Sequence, residues 1–193
     1  VPVGVVSDKA EFAARTIRPR LQKHLEYYLH PLPQQRLKYP SLEMDLEGLD
    51  PADIDGLLAE LKVDRRVPPV SGFFKGGPAE ARRRLQAFVR KRLEHYEAHR
   101  NQPQTDDISH MSPYLHFGQI APVALALAVR DAKSGIGADR AAYLEELVVR
   151  RELAVNFVHF NPDYDRYAGL PPWARRSLAA HAADLREHLY DRE

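Results

Sequence analysis

The chain has 193 residues, 44% of them hydrophobic and 28% charged, with a formal net charge of +1 and no cysteine. That length suits one domain, or one domain with a short preceding segment, of ordinary globular composition. Disulfide and thiolate chemistry are excluded, no apolar run approaches the roughly 20 residues of a membrane helix, and no basic segment precedes an apolar core at the N-terminus as in a secretory signal. The expected location is cytoplasmic. A charge near zero does not by itself announce a nucleic-acid binder. The runs Arg82-Arg83-Arg84, Arg150-Arg151 and Arg175-Arg176 read either as a local basic face or, more often for such runs, as solvated helix surfaces balanced by Glu and Asp.

Val1-Pro2-Val3-Gly4-Val5-Val6 reads as a short buried strand. A lone strand leaves its edges unpaired, so the chain is expected to start inside a larger protein. Ser7 or Asp8 caps a helix over roughly Lys9 to Ile17, which Pro19 interrupts, and Leu21 to Leu29 forms a further helical segment ended by Pro31 and Pro33. The proline-bearing stretch Pro31 to Pro40 is the candidate linker. Asp50-Pro51-Ala52-Asp53-Ile54 combines a cap, a first-turn proline and an acidic turn, and starts a short helix to about Lys62. An irregular loop through Pro78 precedes a long helix, Ala79 to His99, with Ala81, Leu85, Phe88, Val89 and Leu93 at helical spacing. Asn101 to Asp107 is a polar loop, Pro113 to Arg130 a helix, and Lys133 to Gly137 a turn. Asp139 caps a long helix to about Phe160, which Asn161-Pro162-Asp163-Tyr164 ends, and Pro171-Pro172-Trp173 begins a last pair of short helices. Past the first strand everything reads as helix.

The most telling stretch is Ser109-His110-Met111-Ser112-Pro113-Tyr114-Leu115-His116-Phe117-Gly118-Gln119-Ile120. Two hydroxyls bracket an apolar residue ahead of a first-turn proline, so Ser109 and Ser112 can cap the new helix beside backbone N–H groups that suit an anion. On their own these residues read as an ordinary serine cap with Met111 in the core. In context, after a basic, Tyr-bearing helix and a polar loop, the order of elements resembles the start of the flavin-binding domain of DNA photolyases. The wording SPYLHFGQI is most similar to the class II cyclobutane-pyrimidine-dimer photolyases. Three further stretches extend the resemblance. Val6-Ser7-Asp8-Lys9 with Ala13-Ala14-Arg15-Thr16-Ile17-Arg18-Pro19 is similar to that family's crossover from its N-terminal α/β domain. Gly76-Gly77 followed by Ala81, Arg84-Leu85, Phe88, Arg92-Leu93 and Tyr96 resembles the first helix of its flavin domain. Leu144 to Leu153, Asn156-Phe157 and Asn161-Pro162-Asp163-Tyr164 resemble a central helix lining the cofactor cavity.

The resemblance implies a mainly α fold: part of the multi-helical photolyase FAD-binding domain, preceded by the last strand and helix of an α/β domain. Residues 1–30 would close the α/β antenna domain, 31–78 would form an interdomain linker with a short helix, and 79–193 the first half of the FAD domain. The implied activity is light-driven repair of cyclobutane pyrimidine dimers by electron transfer from reduced FAD, with UV-damaged DNA as partner, no membrane, and a monomeric protein. The antenna chromophore stays open. Family members continue beyond the position of Glu193 into helices that carry further flavin contacts, DNA surface and a tryptophan relay, so the chain is expected to be a fragment. The single tryptophan, Trp173, reads as a packing residue outside that relay.

Residue by residue, the resemblance places Tyr96, Ser109, Met111 and Ser112 at the flavin. His110 departs from the family's Asn or Arg. Glu146 matches a glutamate that hydrogen-bonds a carbonyl of the damaged pyrimidines, with Glu145 and Glu152 as alternatives and Arg150 four residues on, hence on the same α-helical face as Glu146. Arg100 and Asn101 match the substrate mouth, where an arginine clamps a phosphate, and Arg150 joins them as a DNA-binding candidate. Arg100 reads equally well as a cation favoured at a helix C-terminus. His95, His99, His116 and His159 form no closed ligand set, so no metal is expected, and no phosphate-binding glycine loop or nucleophile elbow occurs. Two alternatives to a repair enzyme stand: a cryptochrome-like flavin photoreceptor without repair, and an inactive truncated helical remnant.

Overall fold

A computed structural model of the chain describes residues 1–33, 35–39, 44, 48, 52–66 and 68–185. Within them the fold is helical, and the strand expected at the N-terminus is instead a single helical turn, α1 (Val3–Val6). The reason is where the backbone bonds go. Val6 N donates to Pro2 O at 3.3 Å and Ser7 N to Val3 O at 3.1 Å, local partners that replace a neighbouring strand. An extended segment follows, and α2 (Ala14–Tyr28) begins later and runs further than the two helical segments expected there. Ser7 is no cap of that helix; its hydroxyl donates to Glu11 Oε1 at 2.8 Å. Pro19 lies within α2 without ending it. Ala14, Ile17 and Leu21, spaced along one stripe, are buried.

Of the candidate linker, Gln34 and Pro40 lie outside the described residues, as do the expected cap Asp50 and first-turn Pro51. The short helix is α3 (Ile54–Glu60), capped by Asp53, whose carboxylate accepts the Gly56 N–H at 2.9 Å. The long helix expected from Ala79 to His99 divides into α4 (Pro78–Lys91), a 3-10 turn (Leu93–His95) and α5 (Tyr96–His99). The breaks fall at Arg92, with φ −124°, and at His95, with φ −115° and ψ 2°. These turns re-aim the chain so that both Leu93, at 0% exposure, and Tyr96, at 7%, face the same core as Phe88.

The helix expected from Pro113 to Arg130 also divides, into α6 (Ser112–His116) and α7 (Pro122–Arg130). Gly118, at φ 65°, makes the reversal that a residue with a Cβ adopts only at a cost. Pro122 then starts α7. The long C-terminal helix is unbroken but not uniform: α8 (Gly137–Leu144), a π segment (Glu145–Arg150) and α9 (Arg151–Phe160) follow one another directly. Asp139 sits one turn inside α8 and still acts as its cap, accepting Ile136 N–H at 3.1 Å; its other oxygen accepts Glu97 N–H at 3.0 Å and ties α5 to α8. A 3-10 turn (Tyr167–Gly169) and α10 (Pro172–Ala180) end the described chain. Trp173 lies in the first turn of α10 and is 68% exposed, so the expected packing role is not met.

Two cores result. The larger joins α4, α5, α6, α7 and α8 around Phe88, Leu93, Met111, Tyr114, Leu125 and Val129. The smaller joins α1 and α2 to the later part of the long helix through Val6, Ile17, Leu21 and Val149. Of the arginine runs, Arg83 and Arg84 both clasp Glu80, Arg150 pairs with Glu145 and Arg151 with Glu152. No described helix is long and apolar enough to cross a membrane.

Candidate cofactor cavity

The larger core opens into a cavity of about 310 Å³ lined by Tyr96, Ser109, Met111, Ser112, Leu115, Tyr143, Glu146, Leu147 and Arg151. Four elements build it. The 3-10 break before α5 turns Tyr96 inward, the loop before α6 supplies Ser109 and Met111, and α6 supplies Ser112 and Leu115. The long helix adds Tyr143, Glu146 and Leu147, spaced three and four residues apart on one face. All four residues expected at the flavin therefore meet at one cavity with Glu146.

The walls are aromatic and aliphatic. Tyr96 and Tyr143 stand edge to face with centroids 5.1 Å apart, and Phe88 touches both rings from behind at 5.8 and 5.0 Å. Tyr143 donates to Ser109 Oγ at 3.1 Å, and burial pushes its hydroxyl up to about 12, so it stays a neutral donor. Tyr96 is also pushed up, first by burial and then by the nearby Glu146 charge. The expected serine caps are not made. The N-cap of α6 is Met111, without a side-chain bond, Ser112 is the first helical residue, and the one backbone N–H that reaches Ser109 Oγ is that of Met111, at a long 3.4 Å. Met111 itself is 1% exposed.

At the rim, Arg100 Nη1 donates to Glu146 Oε1 at 2.6 Å. Arg100 is also the C-cap residue of α5, as its reading as a helix-end cation expects, and the pair with Glu146 adds to that position. Arg150, placed by α-helical spacing on the face of Glu146, instead lies 3.6 Å from Glu145. The π segment explains this, because π geometry bonds i to i+5 and so aligns residue 145 with 150. Glu145 faces away from the cavity, held by two bonds from Arg18 at 2.7 and 3.0 Å. Glu152 pairs with Arg151 and lines a different, smaller hollow with Leu25 and Tyr28. Asn101 is exposed at the turn after α5, and Arg150 is exposed outside the cavity. Tyr143 was not among the sequence candidates. The available signal was its position three residues before Glu146 on the same helix.

His95 stacks on His99 at 5.5 Å, His99 Nδ1 lies 2.5 Å from Asp107 Oδ2, and no cluster of three His, Asp or Glu able to hold a metal occurs among the described residues.

The Arg18–Glu145 pair joins α2 to the π segment, and its hydrogen bonds hold the Glu145 carboxyl below its ordinary value of 4.5. A lowered carboxylate stabilises the fold above its unfolded pKa and loses that contribution as pH falls through the folded value. Wild-type stability is therefore expected to decline as pH drops below about 4.5. In Glu145→Gln that decline flattens, which urea midpoints measured from pH 3 to 7 will show; parallel curves for the two proteins would refute the assignment.

Comparison with known proteins finds relatives. Deoxyribodipyrimidine photo-lyase of Methanothermobacter thermautotrophicus is 39% identical over 191 residues, 98% of this chain and 40% of the relative. The proteins of the same name from Potorous tridactylus and Oryza sativa subsp. japonica are 39% and 38% identical, each covering 100% of this chain and 36% and 38% of their own length. Over its whole length the chain is similar to these photo-lyases. It spans 36% to 40% of the length of these photolyases. No family model matches it. Within the photolyase family frame, the mainly helical fold is the expected one.

Proposed function

We propose that the chain is part of a class II cyclobutane-pyrimidine-dimer photolyase, and that residues 79–193 supply one side of its flavin site. The observation that carries the reading is the convergence of Tyr96, Ser109, Met111, Ser112 and Glu146 on one cavity. Its fit to a flavin dinucleotide is chemical. The cavity offers aromatic and aliphatic walls for a flat ring system and hydroxyls along one edge for a polar chain. Tyr96, Met111, Leu115 and Leu147 would enclose FAD, with Ser109 and Ser112 at its polar part. Bound in reduced form, FAD would supply on illumination the electron that opens the cyclobutane ring.

The chain's own residues would do the rest. Tyr143 fixes Ser109 by its hydrogen bond, and Phe88 fixes the two tyrosine rings. Glu146 stands at the rim, where a flipped-out dimer would meet it; Arg100 holds the carboxylate in place until then, and in its protonated form the Glu146 carboxyl O–H would donate to a pyrimidine carbonyl. Extrusion costs least for a damaged, poorly stacked base pair. Asn101 and Arg150, both exposed, would face the DNA outside the cavity. UV-damaged DNA as partner, a monomeric state and a cytoplasmic location belong to the same proposal.

The test has two stages. After FAD addition and desalting, the protein is expected to retain flavin with a structured bound spectrum. Light-dependent repair of dimer-containing DNA is then expected to fall by about 10²-fold in Glu146→Ala, the scale of losing one preorganised donor. Retained flavin without any repair would favour a photoreceptor. Loss of all flavin from both this chain and a version extended past Glu193 would overturn the cofactor assignment.

A further inference from the structure

On the other side of Ser109 from the flavin cavity lies a second pocket of about 240 Å³, lined by Arg83, Arg84, Phe88, Arg92, Ser109 and His110 among others. Its charges are unevenly matched. Glu80 serves both Arg83, at 2.7 Å, and Arg84, at 2.9 Å. Asp106 serves both Arg92, at 2.9 Å, and His110, at 2.5 Å. Two carboxylates thus answer three guanidiniums and an imidazole. Each guanidinium has five N–H donors, and the bonds from Arg83 and Arg84 to Glu80 and the Phe73 carbonyl use only Nε and Nη2. Donors remain for a further anion.

The Asp106 arrangement has the form of an occupied anion site. One carboxylate oxygen faces the imidazole and the other the guanidinium, as two oxygens of a phosphate would. Asp106 is itself 64% exposed in its side chain, so leaving costs it little. Its carboxyl is held below the ordinary value, first by His110. His110 adopts φ 53°, the one non-glycine residue among those described with a left-handed backbone, a strained conformation that clusters at binding sites. The same loop runs from Arg100, at the cavity rim, to Met111, in its wall. A strand delivering a base to that rim would pass along it.

We propose that Arg92, His110 and the Arg83–Arg84 pair form a phosphodiester pocket for the DNA backbone, in which Asp106 holds the place of a phosphate until the strand displaces it. This rests on the reading of DNA as partner, though not on flavin binding. The pocket is open at Arg83, 66% exposed in its side chain, as access for a polymer requires.

The probe is an undamaged, labelled single-stranded oligonucleotide, with binding of the flavin-free chain followed by anisotropy over a salt series. Arg92→Gln is expected to weaken binding and lower the log–log salt slope by about 0.7, one single-strand phosphate contact. Asp106→Asn is expected to bind about two- to fivefold tighter, the scale of one exposed charge interaction. Arg90→Gln, the same charge change on the α4 face lining a separate apolar groove with Val89 and Ala128, is expected to alter the slope less. Tighter binding of Asp106→Asn is an outcome that simple loss of folding cannot produce, and far-UV circular dichroism checks each variant. Unchanged or weaker binding by Asp106→Asn would overturn the proposal, and so would equal effects of Arg90→Gln and Arg92→Gln. Should Arg92→Gln instead lose FAD retention at unchanged oligonucleotide affinity, the phosphate held there is the dinucleotide's and the DNA assignment falls. Failure of flavin binding alone leaves the oligonucleotide result standing, which separates the two readings.

Discussion

Phe88→Ala is expected to destabilise the chain by about 3–5 kcal/mol, the usual cost of truncating a buried aromatic to alanine. Phe88 is 1% exposed and supports both Tyr96 and Tyr143. Its loss removes the buried ring, leaves a void that two rigid neighbours cannot fill, and forfeits about 0.5–1.5 kcal/mol for the edge-to-face contact with Tyr96, along with the tilted contact with Tyr143. Against a total stability of about 5–15 kcal/mol, that is a large share. At about 2–4 °C per kcal/mol for a chain this size, the melting temperature should fall by roughly 6–20 °C. Phe88→Leu should recover about half. The same change should loosen the candidate cofactor cavity, since both wall tyrosines lose their backing. A thermal melt that moves by less than 2 °C would mean that the three-ring cluster does not persist in solution.

The second large effect concerns Asn156. Its side chain is 0% exposed and bridges α9 to the extended segment before α2, accepting Glu11 N–H at 2.7 Å and donating to Lys9 O at 3.1 Å. Leucine keeps the same heavy-atom branching but offers neither bond. A buried backbone N–H without a partner costs about 1–3 kcal/mol, and an abandoned carbonyl adds to this. Asn156→Leu is therefore expected to cost about 2–4 kcal/mol, read as a shift in urea midpoint at unchanged slope. Asn156→Asp, which keeps the acceptor and loses the donor, should fall between. Limited proteolysis should cut between Ser7 and Ala13 in Asn156→Leu at protease levels that spare the parent. A midpoint shift below about 0.5 kcal/mol, with no new cleavage, would show that the strap is not held by this residue.

Much of this molecule could be read from local pattern. Ala81, Leu85 and Phe88 stood at helical spacing and all three are buried; Asn161-Pro162 ends the last long helix where expected. The errors have specific causes. Val1 to Val6 has β-forming side chains, but a strand exists only by pairing, and a local turn satisfied the same N–H groups. Two long helices divided because Arg92 and His95 leave helical geometry and Gly118 reverses the chain, changes driven by burial of Leu93, Tyr96 and Tyr114 in a common core. At the site, Tyr96, Ser109, Met111, Ser112 and Glu146 were legible through resemblance to a family. Tyr143 was hidden because tyrosine on a helix is ordinary. The Arg100–Glu146 pair joins positions 46 apart, which no periodicity reports.

The π segment has one further consequence. Because it adds residues without adding a full turn, the stripes of α8 and α9 are out of phase with one another. Tyr143 and Leu147 point to one core, while Val149 serves the other, with Leu153 packed against it. One continuous rod thus behaves as two wedges set at different angles on a single shaft. A sequence read at a constant 3.6-residue period across positions 145–150 would misplace every later residue by roughly 100° about the helix axis, one residue's turn. Insertions or deletions of one residue there would rotate the whole of α9, with Asn156, away from the strap it holds.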